Sequence, residues 1–103
     1  MKKGTFYIAA GLDVVKKESG FLFTKDFLEF GCHCVARQNW VGTELSTGLK
    51  CTIKHCRSKK AVEKEVERLI ETIKHVLNSN AIKQRKQIFK KQISEAEKNE
   101  EDV

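Results

Sequence analysis

The chain has 103 residues, 20 Lys/Arg against 14 Asp/Glu and a formal net charge of +6, with 40% hydrophobic and 33% charged residues. That is the profile of one small soluble globular domain with a thin core and a solvated helix, for which a metal or an oligomer interface would be useful. No apolar run approaches the roughly 18 residues of a membrane span, and the stretch after Met1-Lys2-Lys3 breaks at Asp13 and Lys16, which argues against a signal peptide and for a cytoplasmic chain with reduced thiols.

The chain changes character near Ser58. Before it Gly, Thr, Val, Ile and aromatics dominate; after it there is no Gly and the text is Lys, Glu, Ile, Leu and Ala. This predicts an α+β fold, an antiparallel meander over residues 5–55 covered by a long helix. Strands are expected at 5–16, 21–25, 31–37, 40–46 and 48–55. Glu18-Ser19-Gly20 and Ser46-Thr47-Gly48 each place Gly third in a polar loop, where a hairpin wants a left-handed residue. Thr24 to Phe30 is ambiguous between strand and one helical turn.

Gln38-Asn39 can serve as a two-residue turn. Cys34 then faces Thr43, Cys32 faces Leu45, Thr43 faces Cys51 and Val41 faces Ile53. Alternation puts Cys32, Cys34, Val41, Thr43, Cys51 and Ile53 on a core face. Trp40 falls on the other face with Arg37, Lys50 and Lys54.

Ser58 is a good N-cap for a helix over 58–78, and Val62, Val66, Leu69, Ile70, Ile73 and Leu77 form one apolar stripe on it. Asn78-Ser79-Asn80 ends that helix. A second helical segment over 81–97 carries Ile82, Phe89, Ile93 and Ala96 on one side. Residues 1–80 thus read as the core domain, 81–97 as a basic helical extension and 98–103 as an acidic, disordered tail. Lys83, Arg85, Lys86, Lys90 and Lys91 form a block without an acid, suited to phosphate or an acidic protein surface. The bland alternative is a solvated helix face.

The densest chemistry is Cys32-His33-Cys34 followed by Cys51, His55 and Cys56. Zinc needs about four thiolate or imidazole ligands in a tetrahedron. Cys32 and Cys34, two apart on a strand, would supply two, and Cys51, His55 and Cys56 the rest, with His33 a further candidate. Against this, free Cys is among the most buried residue types. Cys51 and Cys56 would also lie about 16 Å apart if the strand ran on to residue 55. A structural zinc, core thiols and disulfides stay open at this point.

No Gly-rich phosphate loop or paired carboxylates appear, and adjacent His–Cys pairs on a strand point to opposite faces, away from any thiol–imidazole couple. A non-enzymatic binding protein is the expectation. Trp40 among basic residues, with the Lys83–Lys91 block, gives a nucleic-acid surface as one form of it. The RNP aromatic pattern of sheet-type RNA binders is absent.

Trp40 to Lys50 (W-V-G-T-E-L-S-T-G-L-K) and Ser58 to Glu63 (S-K-K-A-V-E) resemble small phage and mobile-element proteins that pair a T-G-L hairpin with a K-K-A helix start. The resemblance covers residues 40–66. It implies an inhibitor of bacterial immunity, similar in size and composition to a zinc-containing anti-CRISPR protein acting on a type II effector nuclease in the host cytoplasm. Such proteins act by binding a host protein or ribonucleoprotein, so no catalytic residues transfer. The charge of +6 departs from acidic DNA mimics and would direct an inhibitor to an acidic protein surface or guide RNA.

Overall fold

The computed structural model describes residues 1–11 and 14–101. It is an α+β fold: strands β1 (Lys2–Ala9), β2 (Val15–Lys25), β3 (Leu28–Ala36), β4 (Asn39–Glu44) and β5 (Leu49–Lys50), then helices α1 (Lys59–Leu77) and α2 (Asn80–Glu101). The five strands form one antiparallel meander in sequence order. The backbone N–H of Ala9 donates to the carbonyl of Gly48 at 2.8 Å, so the sheet curls until β1 meets the β4–β5 turn. Among the described residues no helix is long and apolar enough to cross a membrane.

The first hairpin differs from expectation. Glu18-Ser19-Gly20 is not a turn but the middle of β2, paired with Phe6, Thr5 and Gly4. The glycine is there for clearance, because a Cβ at Gly20 would collide with the carbonyl oxygen of Cys32 on the next strand. The ambiguous segment resolves into a two-residue turn at Asp26-Phe27, with φ of 48° and 68°. Positive φ at both central residues is the type I′ pattern that matches strand twist. Phe27 is fully exposed there, and the turn is braced by ion pairs Lys25–Glu67 and Lys74–Asp26 to α1.

The β3–β4 register is also corrected. The connection is Arg37-Gln38, with Gln38 at φ 54°, and a bulge lies between Cys34 and Ala36. Cys34 therefore pairs with Trp40, Cys32 with Gly42 and Phe30 with Glu44, a slip of three residues from the expected pairing. An odd slip exchanges the faces of one strand relative to the other. Trp40 consequently joins Cys32 and Cys34 instead of opposing them, while Val41 and Thr43 go to the far side with His33.

The β4–β5 turn is as expected. Gly48 sits at φ 71°, where a Cβ would also strike the Phe89 ring. Buried Glu44 organises this turn: its carboxylate accepts from the N–H and hydroxyl of Ser46 (2.9 and 2.7 Å) and of Thr47 (3.1 and 2.9 Å).

The expected strand over 48–55 stops at Lys50. The reason is Glu65 on α1, whose Oε2 accepts from the backbone N–H of Ile53 (3.3 Å) and Lys54 (2.8 Å). Those donors are satisfied by a helix side chain, not by a neighbouring strand. The chain then returns to the sheet at Trp40, whose N–H donates to the Cys56 carbonyl at 2.8 Å.

Helix α1 starts as expected, with the Ser58 hydroxyl accepting from the Ala61 N–H at 3.1 Å. Its stripe covers one sheet face: Val62 and Val66 close on Phe30, Cys32 and Cys56, flanked by Phe21, Phe23, Trp40, Ile70 and Ile73. On the opposite face Phe6 lies over Gly31 and edge-on to buried His33, ring centroids 5.9 Å apart. Helix α2 docks through buried Phe89 at Gly48, so it belongs to the same packed unit. It runs through Glu101, which makes residues 98–101 helical and not a disordered tail. Asp102 and Val103, the rest of that expected tail, lie outside the described residues, as do Leu12 and Asp13 of the expected first strand.

Candidate functional site: an aromatic cleft with a basic rim

The predicted metal ligands separate into two groups. Cys32 and Cys56 are buried in the apolar cluster with Val62 and Val66, and half-buried Cys51 packs against it, over Gly42. Burial pushes the Cys32 thiol up to about 11 and the Cys51 thiol up to about 12, and raises Cys56 in the same direction. Cys34 is exposed, its S–H donating to the Ala36 carbonyl at 2.8 Å, and His55 is exposed as well. His33 is buried on the far face, its Nδ1 without a hydrogen-bond partner and its pKa lowered by burial. All four thiols are free. Among the described residues no three His, Cys, Asp or Glu groups gather as a metal site. The six candidate donors are spread over three settings: Cys32, Cys51 and Cys56 pack in or against the apolar cluster under α1, Cys34 and His55 are exposed, and His33 lies on the other face of the sheet, which is not the convergent tetrahedron a structural zinc needs.

The basic block is carried on α2. Lys83, Lys90 and Lys91 are exposed, Arg85 and Lys86 half-buried. Among the described residues none of the five forms an ion pair, in contrast to Arg68 and Lys74 on α1, which are paired with Glu65 and Asp26.

Trp40 marks the third feature. The corrected register gives its side the residues Thr5 and Ser19, paired across β1–β2, Phe21 opposite Cys32, and Cys34 opposite Trp40 itself. Helix α1 begins only at Lys59 and leaves this end of the face uncovered. The result is a cleft of about 480 Å³ lined by Lys3, Thr5, Ser19, Phe21, Cys34 and Trp40, with the backbone of Gly4 and Gly20 between them. The Phe21 and Trp40 rings stand 6.1 Å apart and tilted by 45°. The Lys59 ammonium lies 3.7 Å from the Phe21 ring centroid, a cation–π contact that sets a charge at the rim.

This is a concave site of binding size: apolar walls, two paired hydroxyl residues and cations at its edge. A second hollow of about 240 Å³, between Leu49, Ile53 and the C-terminal half of α1, mixes aliphatic side chains with Glu44, Lys50 and threonines and has no aromatic ring. Of the cleft residues, the sequence had singled out Trp40 for a partner surface and Cys34 for zinc. It grouped Trp40 with Arg37, Lys50 and Lys54, whereas Lys50 pairs with Thr43 on the opposite parity. Phe21, Lys3, Thr5, Ser19 and Lys59 were missed; the β1–β2 and β2–β3 registers reveal the first four, and the docking of α1 over Phe21 reveals Lys59. No family model, curated protein or solved structure matches the chain.

Proposed function

We propose that this chain is a small, non-enzymatic nucleic-acid-binding protein. The observation that carries this reading is the cleft, which brings Phe21 and Trp40 together beside Lys3 and Lys59 on a chain of net charge +6. Aromatic faces offer stacking to any base, and lysines near them offer phosphate contacts. The five cations on α2, free of ion pairs among the described residues, supply further phosphate contacts. Burial raises the pKa of the Cys32, Cys51 and Cys56 thiols and so weakens them as nucleophiles, which supports a binding role over a thiol enzyme built on those three.

Binding of labelled DNA and RNA, followed by anisotropy at several salt concentrations, tests this. Each phosphate contact adds a slope of about 0.7–0.9 to the fall of log K with log salt, so a steep loss is expected. Reversing Lys86, Lys90 and Lys91 to Glu should leave the fold intact and flatten that slope. A chain that binds no nucleic acid at low salt, yet co-elutes with a type II CRISPR nuclease and blocks its cleavage, would replace this reading with the inhibitor that the residue 40–66 resemblance implies.

A further inference from the structure

We infer, resting on the nucleic-acid reading, that the Trp40 cleft takes one unpaired nucleotide and gives the protein a preference for single strands. The two rings form a tilted, open pair 6.1 Å apart, so they clasp nothing between them in this arrangement. Both are half-buried in the cleft lining, with Lys3 paired with Phe21 across β1–β2 and Lys59 over the Phe21 ring. A base within a duplex has both faces covered by its neighbours and cannot enter such a recess. An unpaired base can turn in and stack on Trp40, since every base presents a π-face and unstacking a single strand costs little.

The polar groups suit that occupant. Thr5 and Ser19 are directly paired on β1 and β2 and line the cleft as exposed neighbours, where either hydroxyl can donate to or accept from a base edge. Hydroxyls of this kind read no single base, which fits a site selective for strandedness more than for sequence. Lys3 is exposed and positioned for the phosphate of the same nucleotide. The volume of about 480 Å³ is that of a small-molecule pocket and is enough for one nucleotide unit.

Trp40 is the only tryptophan, so its emission reports this cleft alone. The full chain is titrated with a 15-nucleotide oligothymidine and with a blunt duplex of the same length at equal salt. Quenching by the single strand, with little change for the duplex, is the expected result, together with tighter single-strand binding. Trp40→Ala should reduce the single-strand to duplex affinity ratio by roughly 5- to 150-fold, the range for loss of one base stack. Should that variant fold poorly, Lys3→Glu, an exposed change, must lower the same ratio and Trp40→Phe must largely keep it. Equal binding of both probes without quenching overturns the inference while the nucleic-acid reading survives. Failure of both probes to bind at low salt overturns the two together.

Discussion

One face of the sheet has two ends that behave differently. Under α1 it holds Phe30 and Cys32 with no exposed surface, sealed by Val62 and Val66. Beyond the first turn of α1 the same face, built by the same alternation, carries Lys3, Thr5, Ser19, Phe21, Cys34 and Trp40 and stays open. Strand chemistry does not separate the two ends. What separates them is where the covering helix starts, and that is set by Ser58 as N-cap, by the Trp40–Cys56 bridge and by the Glu65 clamp on residues 53 and 54. A small fold keeps a cleft in a core-like face by ending its lid early.

Truncation should expose the contrast most strongly. Phe30→Ala at the sealed end should cost about 3–5 kcal/mol and Leu69→Ala about 2–5 kcal/mol, read from denaturant midpoints, because neither void can collapse between sheet and helix. Ser19→Ala at the open end should stay within about 0.5 kcal/mol, as exposed substitutions do. Comparable losses at both ends would mean that the cleft is packed shut.

The clamp comes next. Glu65→Ala leaves the N–H groups of Ile53 and Lys54 without their acceptor and should cost about 1–3 kcal/mol. The segment 51–57 should then lose protection in hydrogen exchange before the sheet does. The Arg68 guanidinium, at 2.7 and 3.1 Å, together with the Lys54 N–H, holds the Glu65 carboxyl down to about 2, from an ordinary value of 4.5. The ionised form is the one the fold favours. Its contribution is complete above pH 4.5 and is lost as the pH falls toward 2, so acid unfolding should steepen in that window. Glu65→Gln should remove that part of the pH dependence, and an unchanged acid limb would break the assignment.

Thiol reactivity sharpens the contrast by rate more than by energy. Cys34 should be alkylated first in the folded protein, with Cys32, Cys51 and Cys56 protected by burial and raised pKa. The melting temperature should not change in chelator, and stoichiometric zinc with chelator-sensitive melting would restore the metal reading of these cysteines.

The smallest effect lies at Phe27, which belongs to neither end. An aromatic residue held at φ 68° with its side chain in solvent gives up no packing on replacement. Phe27→Gly should therefore stabilise the protein, by about 0.5–1 kcal/mol in a denaturant titration. A loss instead would show that the ring is held by contacts of its own.

Local chemistry alone settled a good deal: the meander followed by helices, Ser58 as the start of α1, the apolar stripe from Val62 to Leu77, and Gly48 in a left-handed turn. Each rests on neighbours within a few residues, where periodicity, capping and backbone sterics act directly. The tertiary structure alone decided the register. Gly20 looks like a turn residue but serves the close approach of β2 to Cys32 on β3, and the bulge after Cys34 moved Trp40 across the sheet. It also decided that Cys32 and Cys56 are core with Cys51 packed against them, and that Glu65, a helix residue indistinguishable in the sequence from Glu63 or Glu67, is buried on the backbone of residues 53 and 54. Strand pairing and burial depend on partners far along the chain, and with a side-chain period of two a single odd slip reverses which residues share a face.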